Sequence, residues 1–425
     1  MGDSPRLLPE DVLADILARL APRSLAVSRG VCREWRAVVD ARCNLLPISM
    51  GGFFILTNES ETPEFFVRPS MAHKIAADLE HYLKMDHWYY PPDIADSCNG
   101  LLLLEDRVVN PATRQWVRLP PYPALTETES RGNDRYLAFD PSLSPYYKVV
   151  SIKGPPYRKD ERSEGLKWPP SVCTLLIYSS STGSWEERPF VREGPTITIA
   201  ANLWPFSDLG RSHGVYWNGA LYVYWSGFSM RITLSNDTYQ VLPLPTSIKT
   251  SEYYQPCLGK SKNGVHLVVV DDQKQLQVWF LDEFGGKMEW VLKHDAKLQA
   301  VKLPKYTYRP WILQDGNYND QETTNKELVQ EKELDWDSDD DNDDGIGEWG
   351  EKCSCKSIEV FGFHPYREII FLLLWSSRVV AYYFNSSKIQ DLGELHIKHP
   401  YQIISATFTY TPCWVGELLG NNSTN

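Results

Sequence analysis

"RVVNPATRQWVRLP" runs from Arg107 to Pro120. Val108 and Val109 lie on one side of a polar Asn-Pro-Ala-Thr turn, and Trp116 and Val117 lie on the other. β-Branched and aromatic residues on both sides of turn formers read as strand, turn, strand. The form recurs as "LLIYSSSTGSWEERP" (Leu175–Pro189), "MRITLSNDTYQVLPLP" (Met230–Pro245), "VWFLDEFGGKMEWVL" (Val278–Leu292) and "VVAYYFNSSKIQDLGEL" (Val379–Leu395). Several copies follow another apolar strand, such as "GLLLLE", "ALYVYW", "GVHLVVV" or "EIIFLLL". A second echo pairs "YLAFDPSLSPYYKVV" (Tyr136–Val150) with "VFGFHPYREIIFLLL" (Val360–Leu374). Small antiparallel sheets recurring at about 40–60 residues have two bare faces each, and stacking them around an axis buries both. A propeller of six or so blades fits the length. The repeat is loose, with neither a Trp-Asp ending nor regular Gly-Gly pairs, and a pair of β-sandwiches is the alternative.

The composition agrees with many short strands. The chain has 425 residues, 15 Trp and 23 Tyr for strands, and 29 Pro and 26 Gly for turns. The eight Cys contain no C-x-x-C pair, and Met1–Arg6 leads straight into a helical pattern without a signal peptide. Reduced thiols in cytoplasm and/or nucleus follow, with the sequons at Asn58, Asn236, Asn421 and Asn422 unused. The apolar run Ile369–Trp375 is too short for a bilayer, which takes about 20 residues. The net charge of −12 is local: Glu331–Glu351 holds eleven acids and one Lys, or −10, which leaves −2 for the rest. A nearly neutral body lacks the basic footprint of a nucleic-acid binder.

The first 45 residues differ in kind. Pro9 suits the first position of a helix, and Glu10 and Asp11 follow where negative charge is favoured. Val12, Leu13, Ile16, Leu17 and Leu20 make one helical stripe, and Val31, Trp35, Val38 and Val39 make a second. Domains below about 40 residues usually need a disulfide, a metal or a partner, and no Cys or His framework supplies the first two. The patch must dock on its own chain, as a helical cap, or on another protein.

"LPEDVLADILARLAPRSL…VCREWRAVV" resembles an F-box. The resemblance rests on Leu8-Pro9, Glu10-Asp11, the Ile16/Leu20 stripe and Val31-Cys32-x-x-Trp35, with Ala21 standing where Pro is common. It implies docking on a Skp-type adaptor, and through it on a cullin in a ubiquitin ligase, with Leu8, Pro9, Glu10, Ile16, Leu20, Leu25, Val31, Cys32 and Trp35 toward the adaptor. "DSCNGLLLLEDRVVNPATRQWVRLPP" is similar to the start of the plant F-box-associated domain, and the later units continue in that family's order. This implies a kelch-like propeller that captures a target protein. The expected organisation is α+β multidomain: a helical F-box at 1–45, an all-β, propeller-like domain at 46–415 with an acidic disordered insertion at 316–352, and a disordered tail at 416–425.

Other patterns are weaker. "DDNDDGIGEWGE" (Asp340–Glu351) has calcium-loop spacing, yet a strand pattern follows where an EF-hand needs a helix. A solvated acidic segment is the better reading. "GRSHG" (Gly210–Gly214) matches a nucleophile elbow but is followed by strand–turn–strand rather than a helix. Cys353 and Cys355 lack two further zinc ligands nearby, and His396 and His399 read as surface residues. No catalytic residue, cofactor or metal is expected, and no nucleic-acid or membrane partner. Trp88, Tyr89, Tyr90 and Trp204 are candidate contacts to a target, with blade packing as the other reading. Two rival functions remain: a propeller hydrolase with carboxylates paired in its central channel, or a scaffold that delivers no target.

Overall fold

The computed structural model describes residues 10–17, 28, 31–32, 35, 38, 50–58, 62–68, 75, 79, 83, 93–122, 133–153, 169–195, 214–225, 227–248, 256–284, 288–298, 311–314, 357–375, 377–395, 402–414 and 418. A helix, α1 (Glu10–Leu17), comes first, with Leu13 and Leu17 buried and Val12 and Ile16 exposed. Strands β1 (Gly52–Thr57) and β2 (Glu64–Val67) follow as a hairpin that pairs Phe53 with Phe66. Blade one is the meander β3 (Asp96–Cys98), β4 (Leu101–Leu103), β5 (Arg107–Asn110) and β6 (Gln115–Arg118). Blade two is β7 (Asn133–Ala138), β8 (Lys148–Lys153), β9 (Val172–Ser179) and β10 (Ser184–Glu193), and blade three is β11 (Val215–Trp217), β12 (Ala220–Trp225), β13 (Phe228–Thr233) and β14 (Thr238–Pro243). The outer strands β10 and β14 pair in parallel over Val191–Glu193, which joins these two blades into one eight-stranded sheet. Blade four is β15 (Cys257–Ser261), β16 (Gly264–Val270), β17 (Gln275–Asp282) and β18 (Glu289–Lys297).

Strand β19 (Ile312–Gln314) leaves the repeat, and blade five is β20 (Ile358–Phe363), β21 (Ile369–Leu374), β22 (Arg378–Tyr383) and β23 (Lys388–Glu394). The last strand, β24 (Ile404–Tyr410), pairs with β1 from Gly52–Tyr410 to Leu56–Ala406. Blade six is therefore β24, β1, β2 and β19 in order outward. Its strands come from both ends of the domain and from between blades four and five. The alternative of paired β-sandwiches is excluded, because six four-stranded units are arranged in a ring.

The quoted sequence repeats are the outer hairpins of five blades: β5–β6, β9–β10, β13–β14, β17–β18 and β22–β23. Four of them turn through a left-handed residue just before the last strand: Arg114, Gly183, Asp237 and Ser387. That conformation suits a short hairpin loop closed by a bulge.

Six buried apolar clusters hold the ring, one at each contact between neighbouring blades. Leu103 and Val108 of blade one meet Leu137 and Val149 of blade two. Val150 and Ile177 of blade two meet Leu221 and Ile232 of blade three. Tyr222 of blade three meets Leu267 of blade four, and Val278 of blade four meets Ile370 of blade five. Blade six closes the ring through alternation along β1: Phe53 and Ile55 face Phe371 of blade five, while Phe54 and Leu56 face Leu102 of blade one. A strand buried on both faces has no polar side, so β4 and β21 read as continuous apolar runs, as do β1 up to Thr57 and β16 but for His266.

The acidic segment 316–352 and most of the expected tail lie outside the described residues. Of that tail Leu418 is described: it is buried, and its N–H donates to Gln115 Oε1 at 3.0 Å.

Candidate functional site: the channel and the exposed helix face

Each innermost strand (β3, β7, β11, β15, β20 and β24) pairs on one side only, so its other edge presents bare N–H and C=O groups toward the axis. Side chains of neighbouring inner strands satisfy part of this edge. Asp96 Oδ2 accepts the Leu137 N–H at 2.7 Å. Asn99 Nδ2 donates to Phe139 O at 2.6 Å, and Ser97 Oγ to Thr409 O at 3.2 Å. Thr407 Oγ1 and Thr409 Oγ1 donate to Phe361 O and Phe363 O at 2.6 and 3.2 Å. These bonds stitch blades one, two, five and six around the channel.

Inside lies a half-open cavity of about 130 Å³, lined by residues of β3, β11, β15, β20 and β24. Its cation is Lys260, whose Nζ donates to Asn99 Oδ1 at 2.5 Å. Lys260 belongs to blade four and Asn99 follows the inner strand of blade one, so this bond spans the channel between opposite blades. Part of Lys260 is reachable from the cavity although its ammonium lies deep, and desolvation lowers its pKa. Burial pushes the Asp96 carboxyl up to about 8, against N–H bonds from Leu137, Ser97 and Gly214 that work the other way. Burial likewise pushes the Cys98 thiol up to about 12. Burial thus favours the neutral form of both, and Lys260 is the basic side chain of the lining.

Asp96 is the one carboxylate among the described lining residues. A hydrolase with two channel carboxylates needs a second one there. Gly214, the last residue of the "GRSHG" match, has a packing explanation: a Cβ there would come within 2.6 Å of Tyr136 Cδ1. The rest of that match, the calcium-loop pattern, Cys353, Cys355, His396, His399, Trp88, Tyr89, Tyr90 and Trp204 lie outside the described residues. Among the described residues, Cys32, Cys98, Cys173, Cys257 and Cys413 stand outside any disulfide, no His/Cys/Asp/Glu group could hold a metal ion, and no helix is long and apolar enough to cross a membrane.

Loops after the first and third strands of each blade share one face of the ring. Asn263 Nδ2, after β15, donates to Glu368 Oε1, before β21, at 2.8 Å, and Asn385 in the β22–β23 turn bonds the same carboxylate. Leu143, Tyr146 and Phe284 are exposed on loops of this face, Phe284 at 89%. The sequence reading passed over Lys260, Asn99 and Asp96. The available signal was a lone charge, Lys260, in a short strand of otherwise small or apolar residues.

Of the nine residues read toward an adaptor, Leu8, Pro9, Leu20 and Leu25 lie outside the described residues, as does the Glu10 side chain. Ile16 is 44% exposed and Val31 61%, while Cys32 and Trp35 are half-buried, with the Trp35 N–H 3.5 Å from Cys32 Sγ. Ile16 shares its exposed side with Val12, one helical turn back.

The F-box-like family model matches residues 6–44, and the model described as "F-box protein At3g26010-like, beta-propeller" matches residues 80–314. The propeller extends beyond the second match, since β1, β2 and β20–β24 complete the ring. F-box protein At5g07610 of Arabidopsis thaliana is 26% identical over 324 residues, 69% of this chain and 71% of that protein. F-box protein At3g07870 of the same plant is 29% identical over 353 residues, 72% of this chain and 75% of that protein. With an F-box-like amino terminus and a six-bladed ring behind it, the chain belongs to the At3g26010-like β-propeller family of F-box proteins.

Proposed function

We propose that this protein is the target-recruiting, non-catalytic subunit of a Skp–cullin–F-box ubiquitin ligase, acting in cytoplasm or nucleus. The amino-terminal helices dock on a Skp-type adaptor, and the kelch-like propeller holds a target protein. The observation that carries this reading is the exposed apolar set Val12, Ile16 and Val31 on a segment that matches an F-box. Such a surface on a small helical patch is the kind a partner covers. Leu8, Pro9, Glu10, Leu20, Leu25, Cys32 and Trp35 complete the proposed contact. The ligase function then works by proximity: a target held beside the transfer enzyme meets a high effective concentration.

The test is co-expression with a Skp-type adaptor. Ile16→Glu and Val31→Glu alter exposed side chains, so the melt of the chain should not change while the stoichiometric complex is lost. A complex that survives both substitutions would remove the docking reading. Loss of a target's turnover when the chain is deleted separates recruitment from a scaffold role.

A further inference from the structure

The Lys260 ammonium carries three donors, and Asn99 Oδ1 takes one of them. Its electrostatic partners, Cys98 and Asp140, do not contact it as ions: the Cys98 thiol is held neutral, and Asp140 Oδ1 is engaged by Ser142 N and Oγ at 3.0 and 2.6 Å. Asp96, the carboxyl of the same lining, is turned to backbone N–H groups. Desolvation works against the Lys260 charge, and an anion in the adjoining accessible cavity of about 130 Å³ favours the charged form.

We propose that the channel binds a small monocarboxylate, with Lys260 as its counter-ion. An apolar cavity of about 150 Å³ holds benzene, which sets the part of the ligand inside the channel at about six non-hydrogen atoms. One cation calls for one negative charge. Thr407 and Thr409 spend their hydroxyl protons on backbone carbonyls, so they offer acceptors to the lumen and disfavour a multiply charged oxyanion. Val215, Leu258 and Val360 supply apolar lining for the remainder of the ligand. The carboxylate comes either from a free organic acid or from the last residue of a polypeptide, the latter making the channel a reader of target termini. The site rests on channel geometry and is independent of adaptor docking.

The test is calorimetric titration of the full chain, without adaptor, with butyrate, with its neutral isostere butyramide, and with acetyl-diglycine as free acid and as amide. Butyrate or the peptide acid should bind, with the matching amide at least tenfold weaker. Binding of butyrate alone identifies a free acid as the source, and binding of the peptide acid identifies a polypeptide end. Lys260→Met should weaken binding at least tenfold. Asn99→Asp, at a left-handed position that Asp tolerates, supplies an internal counter-ion and should do the same; it also removes the Nδ2 donor to Phe139 O, so a thermal melt run alongside checks that the fold is kept. The proposal is overturned if neither acid binds the wild-type chain, if amides bind as well as acids, or if either variant binds as tightly as wild type.

Discussion

The ring of Phe363, on the inner strand of blade five, lies so close to Gly259, on the inner strand of blade four, that a Cβ at Gly259 would stand 2.0 Å from Phe363 Cδ2. Two inner strands approach here because one of them lacks a side chain. Gly259→Ala forces Phe363 or the strand to move, and overpacking of this kind costs about 1–3 kcal/mol. Urea denaturation measures it. An unchanged midpoint would mean that the contact between these blades is slack.

Phe53 carries the closure. Its ring stands 4.8 Å from both Phe361 and Phe371, centroid to centroid, and 6.0 Å from Trp311. Phe53→Ala should cost about 3–5 kcal/mol. Because blade six draws on both ends of the domain, the loss should appear as one shifted thermal transition. A separate early transition would show that the closing blade opens on its own.

Asp96 sets an alkaline limit. Burial raises its folded pKa to about 8 from 3.8. The folded form holds a proton that the unfolded form has released, so the stability it contributes is lost as pH rises through about 8. Between pH 6.5 and 8.5 the wild-type chain should lose about 1–2 kcal/mol. Asp96→Asn, which still accepts the Leu137 N–H, should flatten that slope. A flat wild-type profile would show that the N–H bonds to Asp96 outweigh its burial.

His364 acts on the acid side. Burial, helped by Arg367 and Arg68, lowers it to about 3, and its Nδ1 accepts the Tyr366 N–H at 3.1 Å as a neutral ring must. Its folded pKa lies below the unfolded value of 6.5. The associated stability is present above pH 6.5 and is lost toward pH 3, at up to about 1.4 kcal/mol per unit. On going from pH 7 to pH 5, His364→Asn should keep about 1–2 kcal/mol more of its stability than wild type does, read by denaturation at the two values. Equal sensitivity would mean that the ring is protonated in the folded state.

The hairpins were legible because their causes are local. Val108, Val109, Trp116 and Val117 around Asn-Pro-Ala-Thr state strand, turn and strand within fourteen residues, Arg107–Pro120, and the same holds for the four later copies. The F-box-like segment was legible for the same reason, through the spacing of Leu8-Pro9 and Val31-Cys32-x-x-Trp35. The closing blade was not. Gly52 pairs with Tyr410, and Phe66 with Leu313, and nothing near any of these residues announces a partner hundreds of positions away.

The same division holds at the site. Asp96 through Gly100 stood in the sequence as part of a family motif, and Lys260 as an isolated charge in a short strand. Their meeting needed the ring, since Lys260 and Asn99 lie 161 positions apart and come together only when six blades close around one axis. The sequence by itself determined the strands, their turns and the exposed helix stripe, because side-chain period and backbone preference act over a few residues. Tertiary structure alone decided the blade count, the closure and the charge in the channel, because each depends on burial between segments that the chain keeps far apart.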